Sequence, residues 1–265
     1  MAADEAETYL MLLLSDSNLP TGSFVASSGL ESYIKHGFHS SPSSTIDFVQ
    51  DALTTYARSA LPFVSDAHLA VESCFKGAEV NETLEQLGKL DDLYESMTLN
   101  HVARRASRAQ GVALLTLYSK GFTPPSLNNP ASLDPKSAHL LALVDELKMR
   151  VRKIETPGHL PVCWGVLTAS LGLSLERSQY LHLFLHSRSL LSAAVRLNIV
   201  GPYGAQQLLL HSVRPLVTAE LARCNELRSA GSDESGSGDG PAGTWPLGEI
   251  LAARHDLQHS RIFNS

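Results

Sequence analysis

Two pairs of histidines have a spacing that could support metal chemistry. His182 and His186, like His255 and His259, are four positions apart, which places both rings of a pair on one face of a helix. A helical pair supplies only two ligands, however, and neither pair has the neighbouring glutamate or third histidine of a zinc-protease helix. We expect structural or surface roles for both pairs, with a metal-binding enzyme as the alternative.

The sequence contains none of the short motifs for nucleotide binding or serine catalysis. It lacks a P-loop, a Gly-x-Gly-x-x-Gly turn after a strand and a Gly-x-Ser-x-Gly elbow. Its three cysteines, Cys74, Cys163 and Cys224, are far apart and odd in number, which suits a reducing compartment better than a disulfide framework or a zinc cluster. We therefore predict no catalytic residues and no metal site.

Length, composition and charge indicate a globular protein. The 265 residues are 43% hydrophobic and carry a formal net charge of −6, which disfavours broad capture of nucleic acid. The N-terminus lacks the basic-then-apolar order of a secretory signal, and no apolar stretch is long enough to span a bilayer. We expect a cytoplasmic protein with no nucleic-acid or membrane partner.

Apolar residues recur at three- and four-residue spacing along most of the chain, which predicts an all-α bundle of about eight to ten helices. Pro62 predicts the start of a new helix, and a long helix is predicted over residues 175–197. Residues 229–243 are rich in Gly, Ser and acids and predict a flexible surface loop. We expect one domain over residues 1–265.

Residues 16–31, the opening segment, combine glycine, proline and serine between two apolar runs. Gly29 is predicted inside a helix, where glycine costs about 1 kcal/mol relative to alanine. It therefore indicates close approach of another group. That group is either a helix of the core or a partner.

Residues 254–265, the C-terminal tail, are polar and end near an Ile262–Phe263 pair. The composition fits a docking element or a frayed terminus.

Three blocks together resemble the urease accessory protein UreF family. They are Leu-Pro-Thr-Gly-Ser-Phe with Ser-Gly-Leu-Glu in 19–31, Ser-Ala-Ala-Val-Arg-Leu in 192–197 with Gly201 and Gln206, and the tail. Weaker similarity at 105–111 and 159–172 preserves the order end to end. Pro202 and Ala205 depart from the common bacterial pattern, and the loop over 229–243 resembles an insertion, which suggests a eukaryotic member.

The resemblance implies a non-catalytic, homodimeric helical scaffold in urease maturation. UreF-like proteins join UreD (UreH) and the GTPase UreG to deliver nickel to apo-urease, so nickel is cargo of the complex and no cofactor is tightly bound. A general helical adaptor is the alternative. The candidate partner-binding residues are Pro20, Gly22, Phe24, Ser28, Gly29, Glu31, Arg196, Gln206, Arg254, His255, Ser260, Arg261 and Phe263.

For Arg196, pairing within the core or at a dimer seam is the alternative to a partner contact. We expect Gly22, Gly29, Ala193 and Ala194 to allow close helix approach.

Overall fold

The computed structural model describes residues 2–19, 21, 23–41, 43–123, 135–230 and 240–265. Within these ranges the regular structure is helical and no β-strand occurs, which confirms the predicted all-α class. Pro20 and Gly22 of the opening segment lie outside the described residues, as does most of the predicted loop over 229–243.

The α-helices, in chain order, are α1 (Ala2–Leu14), α2 (Leu30–Lys35), α3 (Ser43–Phe75), α4 (Val80–Met97), α5 (His101–Leu117), α6 (Pro135–Arg152), α7 (Leu160–Ser170), α8 (Leu175–Arg196), α9 (Pro202–Leu208), α10 (Arg214–Cys224) and α11 (Pro246–Ala253). Short 3₁₀ turns at Ser23–Val25 and Arg254–Leu257 precede α2 and follow α11. Single π-helical turns at Tyr118–Phe122 and Leu209–Val213 extend α5 and α9.

The prediction that Pro62 begins a new helix is wrong. Helix α3 runs through it without a break. Proline removes one N–H donor from a helix interior. Leu61 and Phe63, on either side of Pro62, are both fully buried, so tertiary packing offsets the lost hydrogen bond.

The chain divides into two compact units. The first consists of Met1–Thr21, Phe63–Met97 and Ser107–Ser178, and the second of Gly22–Pro62, Thr98–Ala106 and Gln179–Ser265. A single domain over residues 1–265 stays a prediction. None of the helices in the described ranges combines the length and apolar character needed to cross a membrane.

In the first unit, α7 packs very closely on α3. A Cβ atom placed on Gly165 would lie 2.5 Å from the carbonyl oxygen of Val64 and 2.9 Å from Cβ of Ala67. Only glycine permits this separation of the two backbones. The neighbouring Val166 and Leu167 of α7 are buried, so this contact belongs to the core of the unit.

In the second unit, small and aromatic side chains share one core. Ala193 and Ala194 of α8 are fully buried together with Leu30 of α2, so the close approach expected at these alanines takes place within the chain. The ring of Phe48 packs edge-on against Trp245, with ring centroids 5.2 Å apart. This core places α2, α3 and α8 beneath the opening segment and the C-terminal tail.

Candidate partner interface

The C-terminal tail lies against the opening segment within the second unit. The N–H of Asn264 donates to the carbonyl oxygen of Val25 at 2.9 Å, and the N–H of Ser27 donates to the carbonyl oxygen of Ser265 at 2.5 Å. Two blocks from opposite ends of the sequence are therefore joined by their backbones. The tail is docked on its own chain.

Glu31 holds the tail through its carboxylate. The side chain is 0% exposed. Oε1 accepts the N–H of Ile262 at 2.8 Å, and Oε2 accepts the N–H of Phe263 at 3.1 Å. Lys35 compensates the buried charge, with Nζ 3.3 Å from Oε1 of Glu31. Hydrogen bonds to a charged acceptor are about twice as strong as neutral ones, so Glu31 is a principal anchor of the tail.

His255 and Phe263 are fixed inside the same structure. Both residues are buried, and Nε2 of His255 donates to the carbonyl oxygen of Phe263 at 3.0 Å. His259, the other member of this pair, is exposed. His255 therefore has a structural role in holding the tail, and the two histidines do not share a buried site.

Arg196 connects the two blocks from the end of α8. Its guanidinium carbon lies 3.9 Å from the ring centroid of Phe24 and 4.3 Å from that of Phe263, and its Nη1 donates to the carbonyl oxygen of Phe24. Burial lowers the pKa of this guanidinium. The cation–π contacts hold the ring of Phe24, which is 65% exposed, in a defined position.

Asp256 is the centre of a charged cluster that sequence reasoning missed. Arg105 donates to both of its carboxylate oxygens at 2.9 and 3.1 Å, and also to the carbonyl oxygen of Asn264 at 2.9 Å. Arg261 and His101 lie 2.5 and 3.3 Å from the same carboxylate. The hydrogen bond from Arg105 is the largest cause that lowers the pKa of Asp256 to about 2.

The remaining candidates are Arg254, Ser260, Ser28 and Gln206, and only Gln206 lies outside the tail and the opening segment. Arg254 donates from Nε to Nε2 of His36 at 3.1 Å, and Ser260 accepts from Nζ of Lys35 at 3.4 Å. Ser28 is exposed and has a φ of 50°. Gln206 lies exposed on α9, and within the described ranges it makes no hydrogen bond or ring contact with the tail or the opening segment.

Gly29 does not lie inside a helix as expected, because it is the residue immediately before α2. Its φ is 89°, in the left-handed region that excludes it from a helix interior. A Cβ atom at this position would lie 3.0 Å from Cβ of Ala252 in α11. The close approach that this glycine allows is therefore a contact within the chain.

We expect Gly29→Ala to lower the free energy of unfolding by about 1–2 kcal/mol from backbone strain, with a further loss from crowding against Ala252. Gly37→Ala is the matched control, since Gly37 has a φ of 81° and open space around its Cβ position. Urea unfolding of both variants measures the two contributions. Equal losses would show that contact with α11 contributes nothing.

Apolar side chains remain exposed around the docked tail. Phe24, Val25 and Ile262 form what we call the apolar rim, since all three are exposed and the backbone of Val25 pairs with the tail. Leu247 and Ile250 are exposed on α11 nearby. Exposed apolar side chains on a rigid surface are typical of protein-interaction sites.

His182 and His186 do not form a chelating pair. The ring of Tyr56 stacks on both imidazoles, with centroids 5.2 Å from His182 and 3.9 Å from His186, and its hydroxyl lies 2.8 Å from Nε2 of His182. The hydroxyl of Tyr56 occupies the position beside Nε2 of His182 that a metal ion on this nitrogen would need. In the described part of the chain, no group of three or more potential ligands could hold a metal ion.

Burial lowers the pKa of His182 to about 3 and that of His186 to about 4. In the unfolded chain both titrate near 6.5, so the unfolded state binds more protons at acidic pH, and stability falls as the pH drops below about 6.5. We expect His182 alone to cost about 2 kcal/mol between pH 7 and pH 5. His182→Gln should remove its share of this dependence in urea unfolding and leave the share of His186, whereas His139→Gln, at an exposed position, should retain the full dependence. An equally steep dependence in His182→Gln would contradict the assignment.

A second polar network lies in the first unit. Ser107 Oγ is 3.1 Å from Nδ1 of His159, and Nε2 of His159 is 2.6 Å from Oε2 of Glu95. The order of the groups is that of a serine-hydrolase triad. His159 is fully buried, however, and Ser107 Oγ accepts the N–H of Leu160 at 3.1 Å. The serine therefore accepts a hydrogen bond from the first turn of α7.

Asp91 completes this network at the start of α7. It accepts hydrogen bonds from the hydroxyl of Thr156 at 2.8 Å, from the N–H of His159 at 2.8 Å, and from the N–H of Gly158. A carboxylate is favourable beside the N-terminus of a helix. Pro161 just inside the start of α7 is typical of a helix N-terminus, but nothing local in the sequence identifies Asp91 as the partner of this turn.

The chain is similar to known proteins of one family. The UreF family model matches residues 40–213. The chain is 42% identical to urease accessory protein 6 of Cryptococcus neoformans var. grubii, over 98% of this chain and 97% of that protein. It is 32% identical to an uncharacterized UreF-like urease accessory protein of Schizosaccharomyces pombe, over the full length of both. It is also 32% identical to urease accessory protein F of Arabidopsis thaliana, over 95% of this chain and 90% of that protein.

Proposed function

This chain belongs to the UreF family of urease accessory proteins, as a eukaryotic-type member, and we propose that it is a non-catalytic scaffold of urease maturation. In this role it assembles with a UreD/UreH-type protein and a UreG-type GTPase, and the complex delivers nickel to apo-urease. GTP hydrolysis belongs to the UreG-type protein, and nickel is the cargo.

The observation that carries this proposal is the docking of the tail on the opening segment. The two blocks that most resemble the family form one surface, held by Glu31, His255 and Arg196. This arrangement divides the candidate residues by role. Glu31, His255 and Phe263 are buried and support the surface, whereas Phe24 and Arg261 are exposed and available to a partner.

Phe24 is the proposed anchor of the contact. Aromatic and arginine side chains contribute a large share of interface energy when they enter a pocket on the partner. Arg196 already fixes the Phe24 ring, so less side-chain entropy is lost on binding. The other two residues of the apolar rim extend the apolar area, and Arg254 and Arg261 supply charge at its edge.

Two further properties belong to the proposal. A homodimer is expected from the family, and the exposed Tyr203 and Leu210 around α9 are apolar side chains available for such a contact. A cytoplasmic location is proposed from the reduced state of the three cysteines, all of which are buried free thiols.

We expect Phe24→Ser to weaken co-purification with the UreD-type partner at least tenfold and to reduce nickel- and GTP-dependent urease activation in parallel. Tyr9→Ser is the control, because it removes an aromatic ring that is 68% exposed and lies outside the apolar rim. Unchanged thermal unfolding of both variants would show that folding is intact. Wild-type co-purification of the Phe24 variant would contradict the assigned surface.

A general helical adaptor remains the second candidate, because an exposed apolar rim suits any protein partner. Expression in cells that lack their own UreF separates the two functions. Restored urease activity is the expected result, and a folded protein that fails to restore it would favour the adaptor.

A further inference from the structure

Ile154 has a backbone conformation that is unfavourable for its side chain. It follows α6 with a φ of 63°, and its N–H bonds to Val151 at 3.1 Å while the N–H of Glu155 bonds to Arg150 at 2.9 Å. Glycine is favoured at such a helix end, and a β-branched residue there is strained. The side chain of Ile154 is 90% exposed, so packing within the chain does not offset this strain.

The residues before Ile154 are unusually basic for an acidic chain. Four of the six residues over 148–153 are Lys or Arg, in a protein of net charge −6. Cations are favourable at the end of a helix. Burial lowers the pKa of Lys148, however, and the nearby charges of Arg152 and Lys120 lower it further against the opposing effect of Asp145, so these cations repel one another.

We propose that the end of α6, residues 148–155, is a docking surface for an acidic segment of another protein, with Ile154 as its apolar anchor. Arg152, the last residue of α6, and Lys153, the residue after it, are exposed and supply the charge contacts. Met149, also exposed, adds apolar area one turn earlier. Contact with Ile154 would bury a side chain that contributes no packing in the free chain.

The acidic residues in and beside this surface favour a protein over a continuous polyanion. Glu146 lies 3.8 Å from Arg150, and Glu155 lies 3.9 Å from Lys153. These carboxylates would repel a nucleic-acid backbone or a dense layer of anionic headgroups. A protein segment with separate carboxylates can instead meet individual cations and place an apolar residue on Ile154.

The test uses the full chain and three fluorescent probes: an amphipathic peptide of glutamate and leucine, vesicles containing phosphatidylserine, and duplex DNA. We expect salt-sensitive binding of the peptide that falls at least tenfold in both Ile154→Gly and Arg152→Glu. Ile154→Gly should at the same time raise the thermal midpoint, because it relieves the strain. Asn198→Gly is the control, since Asn198 has a φ of 59° at the end of α8 and should leave peptide binding unchanged.

Three results would overturn the proposal. They are undetectable peptide binding, peptide binding that is equal in the wild type and both variants, and binding of vesicles or DNA that the two variants abolish. None of these results depends on the urease partners, so the proposed function would stand.

Discussion

Replacing Asp91 with alanine is expected to lower the free energy of unfolding by about 3–5 kcal/mol. The substitution removes the acceptor for the hydroxyl of Thr156 and for the N–H groups of Gly158 and His159. Each buried donor left without an acceptor costs about 1–3 kcal/mol. Since these donors lie at the start of α7, the position of that helix against α3 is expected to loosen.

The next residue along the chain supplies the control for this prediction. Asp92 is exposed, and Asp92→Ala should change stability by less than about 0.5 kcal/mol. Urea unfolding of the two variants under identical conditions measures the difference. Asp91→Asn adds a second comparison, because the amide keeps the shape and one acceptor oxygen but loses the charge. A loss below about 1 kcal/mol in Asp91→Ala would mean that the donors find other acceptors or water.

The helices were largely predictable because their signals are local. Apolar spacing gave α8 to within a residue of its observed end, Leu175–Arg196. Pro62 misled because the rule that proline starts a helix ignores packing, and buried neighbours on α3 stabilise a continuous helix around it. The prediction that Gly29 lies inside a helix was also wrong, since a glycine before a helix and one inside it look alike in sequence.

The candidate surface was predictable only as separate blocks. Family resemblance singled out Glu31 and Phe263, but their hydrogen bond joins residues that are 232 positions apart. The same holds for Arg105 and Asp256 and for Asp91 and His159, whose pairing depends on tertiary structure. The family resemblance indicated which residues form the surface, whereas the structure separates those that hold the tail from those that face outward.

Because Glu31 holds the C-terminal tail, we expect Glu31→Gln to release the tail from the opening segment. The amide offers one acceptor oxygen where the carboxylate offers two, so one of the N–H groups of Ile262 and Phe263 loses its partner, and the charge that strengthens both bonds is lost. We expect amide hydrogen exchange at residues 262–263 to accelerate at least tenfold. Affinity for the proposed UreD-type partner should fall as well, because the tail supports Arg196 and Phe24.

Lys35→Arg is the control for Glu31→Gln, because it keeps a cation beside the buried carboxylate and leaves both backbone hydrogen bonds in place. Exchange at residues 262–263 should therefore change little. Phe24→Ser provides the opposite case, with a docked tail and a weakened partner contact. If Glu31→Gln releases the tail while partner affinity stays at the wild-type level, then tail docking does not support the binding surface, and the opening segment alone must provide it.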